Sequence, residues 1–194
     1  MLVSGGGTNL RALIDAQLAG ELGSGQIVCV ISSKPGVYAL ERAQTAGIAH
    51  YVIDKKQYSS ELFDAALLEQ LRACKAQLVV LAGFLPIIGK PLIENYRDRI
   101  VNVHPSLIPS FCGTGFYGLK VHHAALEKGV KVSGATVHLV NEIPDGGQII
   151  LQKAVDVLEG DTPESLQRRI MEQAEWELLP KAVAMLCNKI SEGK

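Results

Sequence analysis

Short apolar, β-branched runs alternate along this chain with stretches whose apolar residues recur every three or four positions. The first pattern suits strands and the second suits helices, so the alternation predicts an α/β fold on a mostly parallel central sheet with helices on both faces. Residues 1–4 form the stub of a first strand, short against a usual length of about 5 residues, as if the sequence began inside it. Thr8 or Asn9 can cap the helix that follows, in which Leu10, Leu13, Ile14 and Leu18 recur at helical spacing. Residues 26–31 predict a second strand, and the next helix runs to about Ala46, where Gly47 is placed to stop it. A short third strand at 50–53 precedes a helix opened by Ser59 or Ser60, with Leu62, Ala66, Leu67 and Leu71 sharing its apolar face. The run 78–82 is apolar without alternation, as in a strand covered on both sides, and belongs in the middle of the sheet.

Beyond it, a short helix at 91–96 leads to a strand at 100–104, which Pro105 ends because proline cannot donate to the ladder. Residues 106–120 turn to Pro, Ser and Gly with Phe111, Phe116 and Tyr117 interleaved. A loop of that length in a compact domain is usually functional, so it is expected to wall the site. A helix at 121–128 and a hairpin-like pair of strands at 132–140 and 148–157 add an antiparallel element. Asp161-Thr162-Pro163-Glu164 combines a cap, an early proline and an acid, and starts a long terminal helix.

Composition narrows the classes. A chain of 194 residues fits a single domain, and a net charge of −1 with mixed signs argues against a nucleic-acid surface. No apolar run approaches the roughly 20 residues of a membrane span. Four scattered cysteines without ligand spacing predict free thiols, no metal site and a cytoplasmic location.

The chemistry gathers at three places. In a strand over 100–104 the two-residue period sets Ile100, Asn102 and His104 on one side, so an amide and an imidazole point into the same space. Together they can hold a developing oxyanion and manage one proton, as acyl transfer requires. Asp145, beside Gly146-Gly147, would raise the His104 pKa from about 6.5 and orient the ring if its loop folds back. Ser4-Gly5-Gly6-Gly7-Thr8-Asn9 joins the first strand to the first helix, and the free N–H groups of such a helix start favour a phosphate. The spacing fits neither a dinucleotide fingerprint nor a Walker loop. His138 reads as a supporting residue, and adjacent His122 and His123 cannot face one metal. Glu172 and Glu175, one turn apart, read by default as a solvated helix face.

Taken as a set, residues 4–10, Leu81-Ala-Gly-Phe-Leu85, Asn102-Val-His-Pro-Ser-Leu-Ile-Pro109, Gly134-Ala-Thr-Val-His138 and Asp145-Gly-Gly147 closely resemble the phosphoribosylglycinamide formyltransferases of the folate-dependent formyltransferase superfamily. That resemblance implies a Rossmann-like fold and formyl transfer from 10-formyltetrahydrofolate, as co-substrate, to the amine of glycinamide ribonucleotide in purine synthesis. It implies Asn102, His104 and Asp145 as catalytic residues, and Gly7, Thr8, Asn9, Glu172 and Glu175 as ribonucleotide contacts. Leu85, Pro86, Ile87 and Ile88 would wall the pterin pocket with Asn102, and Asn141, Glu142, Ile143 and Pro144 would form its other wall. No metal is implied, and a monomer or homodimer is expected. The chain departs from the family at Pro86 and near Ser60, where members carry arginine. A formyltetrahydrofolate hydrolase, another folate-dependent N-formyltransferase and a catalytically silent phosphate- or folate-binding module are the alternatives.

Overall fold

The computed structural model describes residues 1–193, which follow the expected alternation: β1 (Leu2–Val3), α1 (Thr8–Leu18), β2 (Val30–Ser32), α2 (Tyr38–Thr45), β3 (His50–Val52), α3 (Ser60–Ala73), β4 (Val79–Leu81), α4 (Lys90–Asn95) and β5 (Ile100–His104). Next come α5 (Leu119–Lys128), β6 (Val132–Leu139), β7 (Ile149–Asp156) and α6 (Pro163–Ile170). A π-helical turn at Met171–Glu175 then leads into α7 (Trp176–Ser191). The sheet order is β3-β2-β1-β4-β5-β6-β7. Pairs from β3 to β5 are parallel, and β6 and β7 add antiparallel beyond them. The apolar run at 78–82 becomes the fourth of seven strands, as its lack of alternation predicts.

The sheet separates two cores. One packs Leu10, Leu13 and Ile14 of α1, together with Leu166, Ile170 and Leu179 from the end of the chain, on one face. The other packs Phe63, Leu67 and Leu71 of α3 and Leu92 and Ile93 of α4 on the opposite face. On β5, Ile100 joins the second core while Val101 and Val103 join the first. The strand period therefore carries Asn102 and His104 to one side, beyond Ile100.

Several local expectations give way to tertiary contacts. Residues 26–29 form no ladder, and the Ile27 N–H bonds instead to Gln17 Oε1 at 2.6 Å. The cap of α1 is Gly7 at φ 70, with no side-chain bond, so Thr8 and Asn9 are already helical. Gly7 is required there: its φ is left-handed, and an added Cβ would meet Ala39 Cβ at 2.7 Å. Ser59 caps α3 through Leu62 N, as expected, yet Leu62 is 62% exposed and Phe63 takes the buried position. One residue of helical phase decides the outcome, because Phe63 stacks on Phe84 across the second core. Phe63→Ala is expected to cost about 3–5 kcal/mol in urea denaturation, whereas Leu62→Ala should stay within about 0.5 kcal/mol. Equal losses at the two positions would contradict this packing.

Candidate active site

The chain winds from β1 outward through β2 and β3, then returns to place β4 on the other side of β1. Segments leaving the carboxyl ends of β1 and β4 must diverge, and open α/β sheets bind ligands at such a crevice. A cleft of about 580 Å³ opens there. Thr8, Asn9 and Glu175 line it from the helix side, Asn102, His104 and Asp145 lie along it, and Leu85, Pro86, Ile87 and Ile88 form one apolar wall. Asn141, Glu142, Ile143 and Pro144 also line it, as do 113–118 of the long loop.

Three elements bring the acid–base groups together. His104, buried at the end of β5, has Nδ1 3.6 Å from Asp145 Oδ2. Asp145 stands in a tight turn at φ 55, a left-handed conformation that Asp tolerates better than most residues. Its Oδ2 accepts the Gly113 N–H at 2.8 Å, and its Oδ1 lies 3.6 Å from His138 Nε2. His138 Nδ1 donates to the Leu139 carbonyl at 2.8 Å, which leaves Nε2 as the ring nitrogen facing Asn102. The Asn102 amide donates to that nitrogen at 3.2 Å, which leaves its second N–H for the cleft. His138 thus aims the amide, the supporting part that the sequence suggested.

Burial acts against charge on His104 and lowers its pKa below 6.5, although the Phe111 carbonyl and Asp145 each push it upward. The expected net rise from Asp145 is therefore corrected: desolvation of a ring at the end of a buried strand outweighs one carboxylate 3.6 Å away. Burial also raises the Asp145 pKa, but nearby His138, the Gly113 N–H and His104 more than offset it, and the carboxyl stays below its usual range. The resting pair is a neutral imidazole facing a carboxylate. Behind it, His122 is buried with both ring nitrogens unpartnered, and burial, helped by the charge of His104, pushes its pKa down to about 4. His123 faces solvent, so the two histidines do not converge.

At the other end of the cleft, Asn9 Nδ2 donates to Glu175 Oε2 at 2.7 Å, while Asn9 Oδ1 is buried without a protein donor. Burial raises Glu175 from 4.5 to about 7, against the bond from Asn9. Glu172 does not join it: it is exposed and off the cleft. In a turn closed by i→i+5 bonds, residues four or five apart overlay, so Met171 rather than Glu172 lies with Glu175 on the cleft wall. Gly7 shapes the helix start without lining the cleft. Arg42, outside the cleft lining, donates from Nε to the Gly6 carbonyl at 3.0 Å and places a guanidinium beside the glycine turn. It lies 36 residues away on α2, where only the packing of α2 on Gly7 could have indicated it.

Comparison with known proteins places the chain in a class. The formyl transferase family model matches residues 1–183, and the chain belongs to that family. It is 38% identical to phosphoribosylglycinamide formyltransferase of Haemophilus influenzae over 94% of its own length and 84% of that protein's. A solved structure of glycinamide ribonucleotide transformylase 1 from Symbiobacterium toebii is similar at TM-score 0.91 and 44% identity, covering 97% of this chain and 86% of that one. The trifunctional purine biosynthetic protein adenosine-3 of Drosophila melanogaster is 45% identical over 97% of the chain, which spans only 14% of that longer protein. Among the described residues no helix is long and apolar enough to cross a membrane.

Proposed function

We propose that this cleft transfers the formyl group of 10-formyltetrahydrofolate to the glycine amine of 5'-phosphoribosylglycinamide in de novo purine synthesis. The observation that carries the reading is the convergence of Asn102, His104 and Asp145 between a helix start suited to phosphate and an apolar slot suited to a flat heterocycle. The free N–H groups at the start of α1, shaped by Gly7 and presented at Thr8 and Asn9, hold the phosphate, with Arg42 adding charge nearby. Asn9 Oδ1 and Glu175 supply acceptors for ribose hydroxyls. Leu85, Pro86, Ile87 and Ile88 face Asn141, Glu142, Ile143 and Pro144 across the pterin.

The amine attacks the formyl carbon, and the free N–H of Asn102 meets the oxyanion that develops. His104, neutral at rest, takes the proton released by the attacking nitrogen at Nδ1. The resulting imidazolium, paired with Asp145, stabilises the oxyanion and then returns the proton to the departing folate nitrogen. A hydrolase would use water in the same place and would leave Arg42, Asn9 and Glu175 without a purpose, so transfer is the better fit.

The test is the folate absorbance change catalysed by the purified protein with and without the ribonucleotide. Turnover that requires the amine is expected. Equal rates without it would favour the hydrolase, and tight binding without turnover would favour a silent module.

Glu175 gives a second check. Its folded pKa of about 7 exceeds the 4.5 of the unfolded side chain, so the folded state holds the extra proton between those values. Its contribution to stability is full below the lower value and is lost as pH rises through the upper one. Glu175→Gln should therefore match the parent in urea denaturation at low pH and exceed it above neutrality by up to about 3 kcal/mol. It should also weaken binding of the ribonucleotide. A difference that does not grow with pH would contradict the buried carboxyl.

A further inference from the structure

Which ring nitrogen of His104 is open to take a proton depends on which one already holds the hydrogen, and a main-chain carbonyl seven residues on biases that choice. His104 Nε2 lies 2.9 Å from the Phe111 carbonyl oxygen. A carbonyl can only accept, so Nε2 holds the hydrogen and Nδ1 of the neutral ring presents its lone pair toward Asp145. Two residues further, the Gly113 N–H grips Asp145 Oδ2 at 2.8 Å. The strap 111–113 therefore holds imidazole and carboxylate together through its backbone.

Phe111 adopts φ 50, a left-handed conformation that a bulky side chain disfavours and that persists only where surroundings impose it. Ser106 bonds directly to this turn. Fully buried, it donates from Oγ to the Ser110 carbonyl at 2.6 Å and lies 3.4 Å from the Phe111 carbonyl. Its own carbonyl accepts from Thr136 Oγ1 at 2.6 Å, and Thr136 in turn accepts from Ile108 N at 3.1 Å and Gln152 Nε2 at 2.9 Å. The turn after β5 is thereby pinned to β6 and β7.

We propose that Ser106 is a positioning residue for the transfer reaction, its buried hydroxyl shaping the 106–111 turn so that the Phe111 carbonyl fixes the tautomer of His104. The proposal rests on His104 being the proton carrier of the reading above. It is tested by the ¹⁵N chemical shifts of the His104 ring, which need no turnover. Loss of the clamp and loss of the proposed reaction are therefore told apart.

In the parent protein, above the titration of His104, a single Nε2–H tautomer is expected. Ser106→Ala should give a mixture of tautomers and lower kcat about tenfold or more, with little change in either KM. The acid limb of the kcat profile should move to lower pH, because the Phe111 carbonyl is one of the influences that raise the His104 pKa. Asp145, His138 and His122 are the titratable neighbours coupled to the ring, and all three are unchanged in the variant. Ser106→Thr, which keeps the hydroxyl, should restore the single tautomer. Thr136→Val releases the Ser106 carbonyl and carries the same comparison if Ser106→Ala does not fold. An Nδ1–H tautomer in the parent, or a pure Nε2–H tautomer with parental kcat in Ser106→Ala or Thr136→Val, would overturn the proposal.

Discussion

Replacing His104 with alanine is expected to lower kcat for formyl transfer by about 10² or more, on the scale of a lost acid–base group. The ring is the only imidazole whose free nitrogen faces both the cleft and the Asp145 carboxylate among the described residues, so no neighbour inherits its task. His138 cannot, because Nδ1 is spent on the Leu139 carbonyl and Nε2 on Asn102. The apolar walls and the phosphate turn do not depend on His104, so both KM values should change far less than kcat. The variant also removes the short hydrogen bond from His104 Nε2 to the Phe111 carbonyl, a net loss of about 1 kcal/mol. A lower Tm should accompany the lost turnover. Near-parental kcat would remove His104 from the chemistry.

Asp145→Asn is expected to lower kcat by a similar factor, about 10² or more, for a different reason. The amide is nearly isosteric, its oxygen can still accept the Gly113 N–H, and asparagine tolerates the left-handed backbone at this position. Fold and binding should therefore survive. What disappears is the negative charge that steadies an imidazolium 3.6 Å away. Since Asp145 is one of the influences that raise the His104 pKa, the variant should also shift the acid limb of kcat toward lower pH. A normal rate, or a limb that moves upward, would contradict this pairing.

The parts of the fold that rest on local chemistry were legible in the sequence. Continuous apolarity placed β4 at the centre, and strand alternation put Asn102 and His104 on one side of β5. Two glycines after Asp145 marked a turn able to bring the carboxylate back. What escaped was set by contacts between distant segments. Nothing near Leu62 says that Phe63 will meet Phe84, and nothing near Glu172 announces the π turn that carries it away from Glu175. Burial of His104 depends on the whole sheet and loop, so the direction of its pKa shift could not be judged from the nearby acid alone. Ser106, Thr136 and Gln152, up to 46 residues apart in the sequence, meet only because β6 and β7 fold back beside the turn after β5.

The most direct measurement follows the fate of the carbon itself. Purified protein is given 10-formyltetrahydrofolate labelled with ¹³C at the formyl group together with glycinamide ribonucleotide, and the products are read by NMR. The label is expected as a formamide on the glycine nitrogen, formed by the parent and greatly slowed in His104→Ala and Asp145→Asn. Label released as free formate, or formamide produced equally well by the parent and both variants, would contradict amine attack in a cleft governed by Asn102, His104 and Asp145.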